Sequence, residues 1–353
     1  MAGRTAIGLD IGTSGVRAAE LALNKGQVSL EKFGQVALPD GAVRDGEVMD
    51  PNAVAAALKQ LWEGTKFSSR KVILGVANQK VIVRQVDLPW MPLDELKSSL
   101  GFQVADYVPM PIDQAVLDFT PLEDVVSNDG NRLVRGLLVA ASRDMVSRSI
   151  EAVQAADLTP TVVDLSSFAV LRSLAGMEAG SGRVEALVDV GARVTNIVVH
   201  ENGVPRFIRI LLLGGSDLTE AVAERMGVPR EQAEAIKQQI GLTGGAEAGM
   251  DRQAAARVLE SAANTFVDEV RGSLDYFSAS WPSAPISRIT FTGGGSRLSG
   301  LAERLSESCR LPVDTGSPFA AIRVGDTGLT PEQIKFVERL AVVPVGLALG
   351  AAA

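Results

Sequence analysis

Two stretches that lie one domain length apart repeat a single pattern: AIGLDIGTSGVRAAEL at 6–21 and ALVDVGARVTNIVVHENG at 186–203. Each is an apolar strand that ends in Asp-x-Gly, turns tightly through small or hydroxylated residues and runs back as a second strand. The repeat restricts the chain to folds in which two β-containing halves present similar turns, and the turns read as phosphate-gripping hairpins facing each other. A backbone that offers N–H groups to a phosphate at close range has no room for a Cβ, which is the reading of Gly12 and Gly191. Thr13, Ser14 and Ala192 complete the turns, and Thr195 and Asn196 in the second hairpin are further candidates for phosphate contact. Asp10 and Asp189 sit at the strand ends, placed to hold Mg²⁺ through water beside a phosphate. Arg17 could touch a phosphate or simply decorate the returning strand.

A third glycine-rich turn, in RITFTGGGSRLSGLAERL at 288–305, follows an apolar strand over 286–292 and is expected to open a helix. Gly293, Gly294 and Gly295, with Ser296 beside them, let the chain pass flat against a planar or anionic ligand, and a helix N-terminus adds partial positive charge. The turn lacks the GxxxxGK[ST] pattern and does not complete GxGxxG. The bland reading of one such turn is an ordinary loop; for all three in this order that reading does not suffice.

In these three turns the chain resembles the actin-like ATPase superfamily, whose order is phosphate hairpin, second phosphate hairpin, GGG adenosine turn and closing apolar helix. Within it the resemblance is closest to the PilM family of type IV pilus machines, in the FtsA/PilM branch. IGLDIGTSGVRAAEL, ILGVANQKVIVRQVDLPWMPLDEL at 73–96, LVDVGARVTNIVVHENGVPRFIRILLLGGSDLT at 187–219 and VPVGLALGAA at 343–352 carry it. The resemblance implies an α/β, actin-like (ribonuclease H-like) two-domain ATPase fold. Its first lobe would span 1–183 with an inserted α+β subdomain at about 81–160, and its second lobe 184–336 with a smaller subdomain at about 223–275. A closing helix within 337–353 would return to the first lobe. ATP and Mg²⁺ are the implied ligands, with hydrolysis slow or absent. Asp164 falls where chaperone-type ATPases carry an acidic residue facing the γ-phosphate, although an Asp capping the helix that starts at Ser166–Ser167 fits equally. Glu234 and Lys237, three apart in PREQAEAIKQQIG, resemble the adenosine-contacting helix of chaperone and FtsA-like ATPases, although a surface ion pair would look the same.

The implied partner is the N-terminal cytoplasmic tail of a PilN-like inner-membrane protein, bound as an extended peptide in a groove beside the inserted subdomain. Leu88, Trp90, Met91 and Tyr107 would form its wall or else the subdomain core. Other pilus machine components and self-association belong to the same expectation, as does a cytoplasmic location peripheral to the membrane through the partner. The alternatives are an FtsA-like division protein or secretion-platform protein, and a small-molecule kinase. The tail lacks the Lys/Arg face of FtsA proteins, and no sugar- or acid-binding constellation stands out.

Composition agrees. The 353 residues, 46% hydrophobic and 22% charged, suffice for two cores. Thirty-four basic against 42 acidic residues, with no basic cluster, argue against nucleic acid. Cys309 is alone, so no internal disulfide forms. No secretory signal opens the chain. The C-terminal AVVPVGLALGAAA is too short to span a bilayer and reads as a packed core helix. His200, the only histidine, is expected on a surface strand, with no zinc site.

Local patterning predicts a meander over 4–40 with turns at Gly12, Lys25–Gly26 and Pro39–Asp40, and a helix over 51–64 capped by Asp50. A strand at 71–77 precedes the insertion: strand 80–86, helix 93–107, strands 115–119 and 133–141 joined at Ser127–Asn131, and helix 143–156. A strand and helix fill 159–176, helices start near Asp217 and at 229–241, a flexible crossing covers 241–251, and a long helix fills 252–279.

Overall fold

The first Asp-x-Gly motif closes β1 (Arg4–Gly12), which turns into β2 (Gly15–Asn24) and continues into β3 (Gln27–Ala37), the predicted meander. Register sets Asp10 opposite Arg17 and Gly12 opposite Gly15. The computed structural model describes residues 4–24, 27–175, 182–243 and 250–351; the Lys25–Gly26 turn and most of the 241–251 crossing lie outside them. A small ribbon of β4 (Val43–Arg44) and β5 (Glu47–Val48) leads to α1 (Pro51–Thr65). The Asp50 carboxylate accepts from the N–H groups of Asn52 and Ala53 at 3.0 Å, and Pro51, which has no N–H to leave unsatisfied, starts the helix. β6 (Lys71–Val76) then lies parallel to β1.

The insertion consists of β7 (Val81–Pro89), α2 (Leu93–Gln103), β8 (Ala115–Val126) and β9 (Arg132–Ser142). Its sheet runs β7-β9-β8 and is antiparallel, with Leu96 and Leu100 of α2 packed among Val86, Leu88, Phe119 and Leu138. Two expectations change here. α2 stops at Gln103 and tightens into a 3-10 turn over Ala105–Tyr107. β8 runs on to Val126, because as an edge strand it tolerates Pro121, with the register slipping between Pro121 and Glu123. α3 (Arg143–Ala155), β10 (Thr159–Leu165) and α4 (Ser166–Leu174) follow.

The second motif closes β11 (Val184–Val190), which is buried throughout, and returns as β12 (Thr195–Glu201) and β13 (Val204–Leu211). Then come α5 (Gly215–Met226), α6 (Arg230–Ile240), α7 (Met250–Ser280), β14 (Ile286–Thr292), α8 (Leu301–Cys309) and β15 (Val313–Thr315). The apolar stripe of α7 enters the core through Leu259, Phe266, Val270, Leu274 and Phe277. No α-helix begins at the GGG turn: a 3-10 turn over Gly295–Arg297 intervenes, and Gly300, at φ 86°, redirects the chain before α8. His200 is also misplaced by the surface expectation. β12 lies between β13 and β11 and is covered on both faces, leaving His200 3% exposed.

β16 (Arg323–Val324) adds to β3, and α9 (Pro331–Val337) leads into α10 (Val342–Leu349), the apolar tail. Among the described residues the principal sheets are six strands ordered β10-β6-β1-β2-β3-β16 and five ordered β13-β12-β11-β14-β15. α10 packs on β1, β2 and α4. Glycine makes this approach close: a Cβ on Gly8 would stand 2.0 Å from Pro344 O, and one on Gly346 would stand 1.8 Å from Ala169 O. No helix among the described residues is long and apolar enough to cross a membrane.

Candidate nucleotide cleft

The two hairpin turns border one cavity of about 780 Å³. Asp10, Gly12, Thr13, Ser14 and Arg17 line it from the first sheet, and Asp189, Gly191, Ala192 and Asn196 from the second. Gly293, Gly294, Gly295, Glu234 and Lys237 line it as well, so residues far apart in sequence meet at one surface. Three candidates do not line it. Thr195 is fully buried and its hydroxyl donates to Leu213 O at 2.7 Å. Ser296 is buried behind the turn, donating to Gly293 O at 2.8 Å. Asp164 pairs with Arg172 and accepts from the Leu165 N–H at 2.7 Å, while α4 has no side-chain cap, so neither role expected for Asp164 is what it does here.

The hairpin end of the cavity holds two carboxylates, Asp189 buried and Asp10 half-buried, and one guanidinium, that of Arg17. Burial pushes the Asp10 carboxyl up against the opposing charge and hydrogen bond of Arg17. Burial and then the Asp10 charge push Asp189 up to about 7, against the Asn196 hydrogen bond and the Arg17 charge. Arg17 reaches Asp10 Oδ2 at 3.4 Å and Ser14 Oγ at 3.3 Å, and its buried Nε has no hydrogen-bond partner. Asn196 donates to Asp189 Oδ2 at 3.4 Å and accepts from the Ser167 hydroxyl at 2.8 Å, which ties α4 to the second hairpin.

The glycines need a correction of cause. The Gly191 N–H already donates to Val194 O at 2.9 Å, and a Cβ there would stand 2.6 Å from that oxygen. Gly293 sits at φ 87°, where a Cβ would meet Val190 O at 2.4 Å. At both positions the hairpin's own backbone demands glycine, whatever the cavity holds.

At the other end Lys237 is 8% exposed and donates to Gly215 O at 2.9 Å and Thr219 Oγ1 at 2.8 Å, and pairs with Glu234 at 2.7 Å. It is therefore a structural element of the cleft rather than half of a surface ion pair. Burial pushes Glu234 up, but hydrogen bonds from Lys237, Thr219 and Gln238 outweigh it and hold the carboxyl below its usual value. A second cavity of about 380 Å³ adjoins, sharing Gly215, Glu234, Lys237, Gly294 and Gly295 and walled by Leu218, Phe266, Leu301, Arg297 and Phe336.

Sequence reasoning missed several lining residues. Arg230 reaches across to Asp40, and Arg193 pairs with Asp217 and Glu220. Arg339 donates to Ser296 O at 2.9 Å. Arg230 opens α6 after Pro229, a weak signal, and Arg339 follows no motif at all. On the insertion, Leu88 belongs to the core and Met91 packs against it, whereas Trp90, with Arg132 4.2 Å above its ring, and Tyr107 are exposed.

Two sheets that each open with an Asp-x-Gly hairpin, face each other across a cleft and are rejoined by a C-terminal helix define a two-domain actin-like fold. The family model for the type IV pilus assembly protein PilM matches residues 8–352, and the chain belongs to that family of actin-like pilus assembly proteins. A chain of a solved PilM-PilN type IV pilus biogenesis complex is 30% identical and superposes with a TM-score of 0.85 over 99% of this chain and 98% of that one. MreB5 of Spiroplasma citri bound to ADP, 14% identical, shares the fold at a TM-score of 0.55, covering 98% and 95%. Cell division protein FtsA of Bacillus subtilis is 22% identical over 88% of this chain and 78% of its own length. FtsA of Pseudomonas aeruginosa is 24% identical over 93% and 87%.

Proposed function

We propose that this chain is a nucleotide-dependent scaffold of type IV pilus assembly: its lobes, 1–183 and 184–336, close on ATP and Mg²⁺, and it holds the tail of a PilN-like inner-membrane protein. One observation carries the nucleotide half: Asp189, buried, and Asp10, half-buried, belong to opposite hairpins and are both pushed toward protonation with Arg17 as their shared counter-charge. Such a pair calls for a cation. Among the described residues no cluster of three or more ligating side chains could hold a metal alone, so the ion would complete its shell with phosphate and water. Bound Mg²⁺–ATP would supply a charge bridge between the hairpins. Arg17 and the Thr13 and Ser14 hydroxyls, which line the cavity, are suited to the phosphates, and Glu234, Lys237 and the Gly293–Gly295 turn to the adenosine.

Slow or absent hydrolysis fits Asp164, which Arg172 holds, and this reading gives Asp164 no catalytic role. Likeness to a chain of the PilM-PilN complex supports the PilN-like partner, and through it a cytoplasmic place at the membrane's inner face. Calorimetry on the whole chain is expected to show saturable binding of ATP and ADP with Mg²⁺, weakened by EDTA, with Asp189→Asn losing most of the metal dependence. Absence of heat with either nucleotide overturns the nucleotide half. Deleting the first residues of the partner's tail should abolish co-purification, and undiminished binding overturns the partner half.

A further inference from the structure

A third cavity, of about 230 Å³, opens at the C-terminal end of α7 and shares no lining residue with the two above. Leu274, Ile286 and Leu311 give it apolar walls, and Pro282 and Pro285, whose rings fix φ, stiffen the segment that crosses from α7 to β14. Its volume lies below the roughly 300–1,000 Å³ of sites for drug-sized ligands, so it suits a group the size of one side chain.

Three features give this cavity one electrical sign. Asp275 lines it, and among the described residues that carboxylate has neither a hydrogen-bond nor an ion-pair partner. α7 ends at Ser280 with no basic residue in its last turn, so the negative end of a 31-residue helix gets no counter-charge from its own side chains there. Trp281, stacked on Phe277 with ring centroids 5.1 Å apart, lines the cavity, and the face of an indole attracts cations. Arg271, the cation among the described lining residues, is already matched: it pairs with Asp268 at 3.0 Å and donates to Ser308 Oγ at 3.2 Å. Cys309 registers the balance. Burial, and then the Asp275 charge, push its thiol up to about 11 against the smaller opposing charge effect of Arg271, so it remains a neutral part of the wall. We propose that this cavity binds an organic cation of side-chain size, an ammonium on a short aliphatic stem. The stem lies against Leu274, Ile286 and Leu311, and the head sits between Asp275 and Trp281. The stacked ring and the two prolines are in place before the ligand arrives, so little freedom is lost on binding. What occupies the nucleotide cleft has no part in this proposal.

The test uses the whole chain carrying ¹⁵N-labelled tryptophan, whose three indole N–H signals come from Trp62, Trp90 and Trp281, with Trp281→Phe assigning the third. Pentylamine should move the Trp281 signal saturably, with a millimolar midpoint, and leave the other two in place. The same stem without the charge, 1-pentanol, should need a concentration about fivefold higher or more. Asp275→Asn, at an exposed position, should weaken pentylamine about two- to fivefold and leave the pentanol response unchanged. Lysine blocked at both termini separates the two sources of such a head, and either outcome upholds the site: tighter binding than pentylamine assigns it to a lysine of another protein, weaker binding to a free amine. A Trp281 signal unmoved by pentylamine up to about 50 mM, equal midpoints for amine and alcohol, or an Asp275→Asn chain that binds pentylamine as tightly as the parent overturns the proposal.

Discussion

His200 shows what one buried titratable ring does to a sheet. Its Nδ1 accepts from the Gly203 N–H at 3.3 Å, while Nε2 has no hydrogen bond and lies 3.9 Å from Glu185. Burial, against the pull of Glu185 and with the help of Arg288, holds its pKa below the ordinary value. The folded chain thus keeps a neutral imidazole while the unfolded chain takes up a proton near pH 6.5, so stability present above that pH is lost as pH falls through the folded value. In urea denaturation, His200→Gln should show a smaller loss of stability than the parent chain between about pH 7 and pH 5; parallel curves would contradict the assignment. Asp10, Asp189 and the glycines were legible because strand-turn-strand spacing fixes where they stand. Arg230 and Arg339 were not, because a long side chain reaches the cleft from an element whose own pattern says nothing about that direction.

Among the elements, α10 depends most on a single missing atom. Gly346→Ala would drive a Cβ into Ala169 O and should lower the stability of the chain by about 1–3 kcal/mol or more in thermal denaturation, through overpacking against α4. Gly64, inside α1 with nothing within 4 Å of an added methyl, makes the opposite case: Gly64→Ala should be neutral or stabilise by about 0.5–1 kcal/mol. Equal effects at the two positions would refute the packing argument. Most elements were legible from their periodicity, including α1 with its Asp50 cap and the hairpin turn at Ser127–Asn131. The end of α2 and the length of β8 were not, since Pro121 normally marks a break and only an unpaired edge lets a strand pass through it.

For the whole molecule, the cleft is strapped as well as lined. Arg230 of α6 pairs with Asp40 after β3, and both side chains are substantially exposed, at 39% and 77%. A pair so wet contributes only about 0–1 kcal/mol, so Arg230→Ala should leave the melting temperature almost unchanged. Its effect should be on nucleotide release, faster by roughly two- to fivefold in stopped-flow displacement, and an unaltered rate would show that the strap does not gate the cleft. That two sheets enclose one cavity could be inferred from the repeated motif, but which residues cross the gap depends on contacts between segments far apart in sequence. The seat of α10 also governs how the molecule is born. β1 and β2 are made long before α10, the helix that covers them against α4, whereas the sheet bearing the second hairpin meets core partners sooner, in α7 and α8. On the ribosome these strands therefore wait with an open oily furrow until α10 emerges, and a chaperone meeting the nascent chain would find its target there.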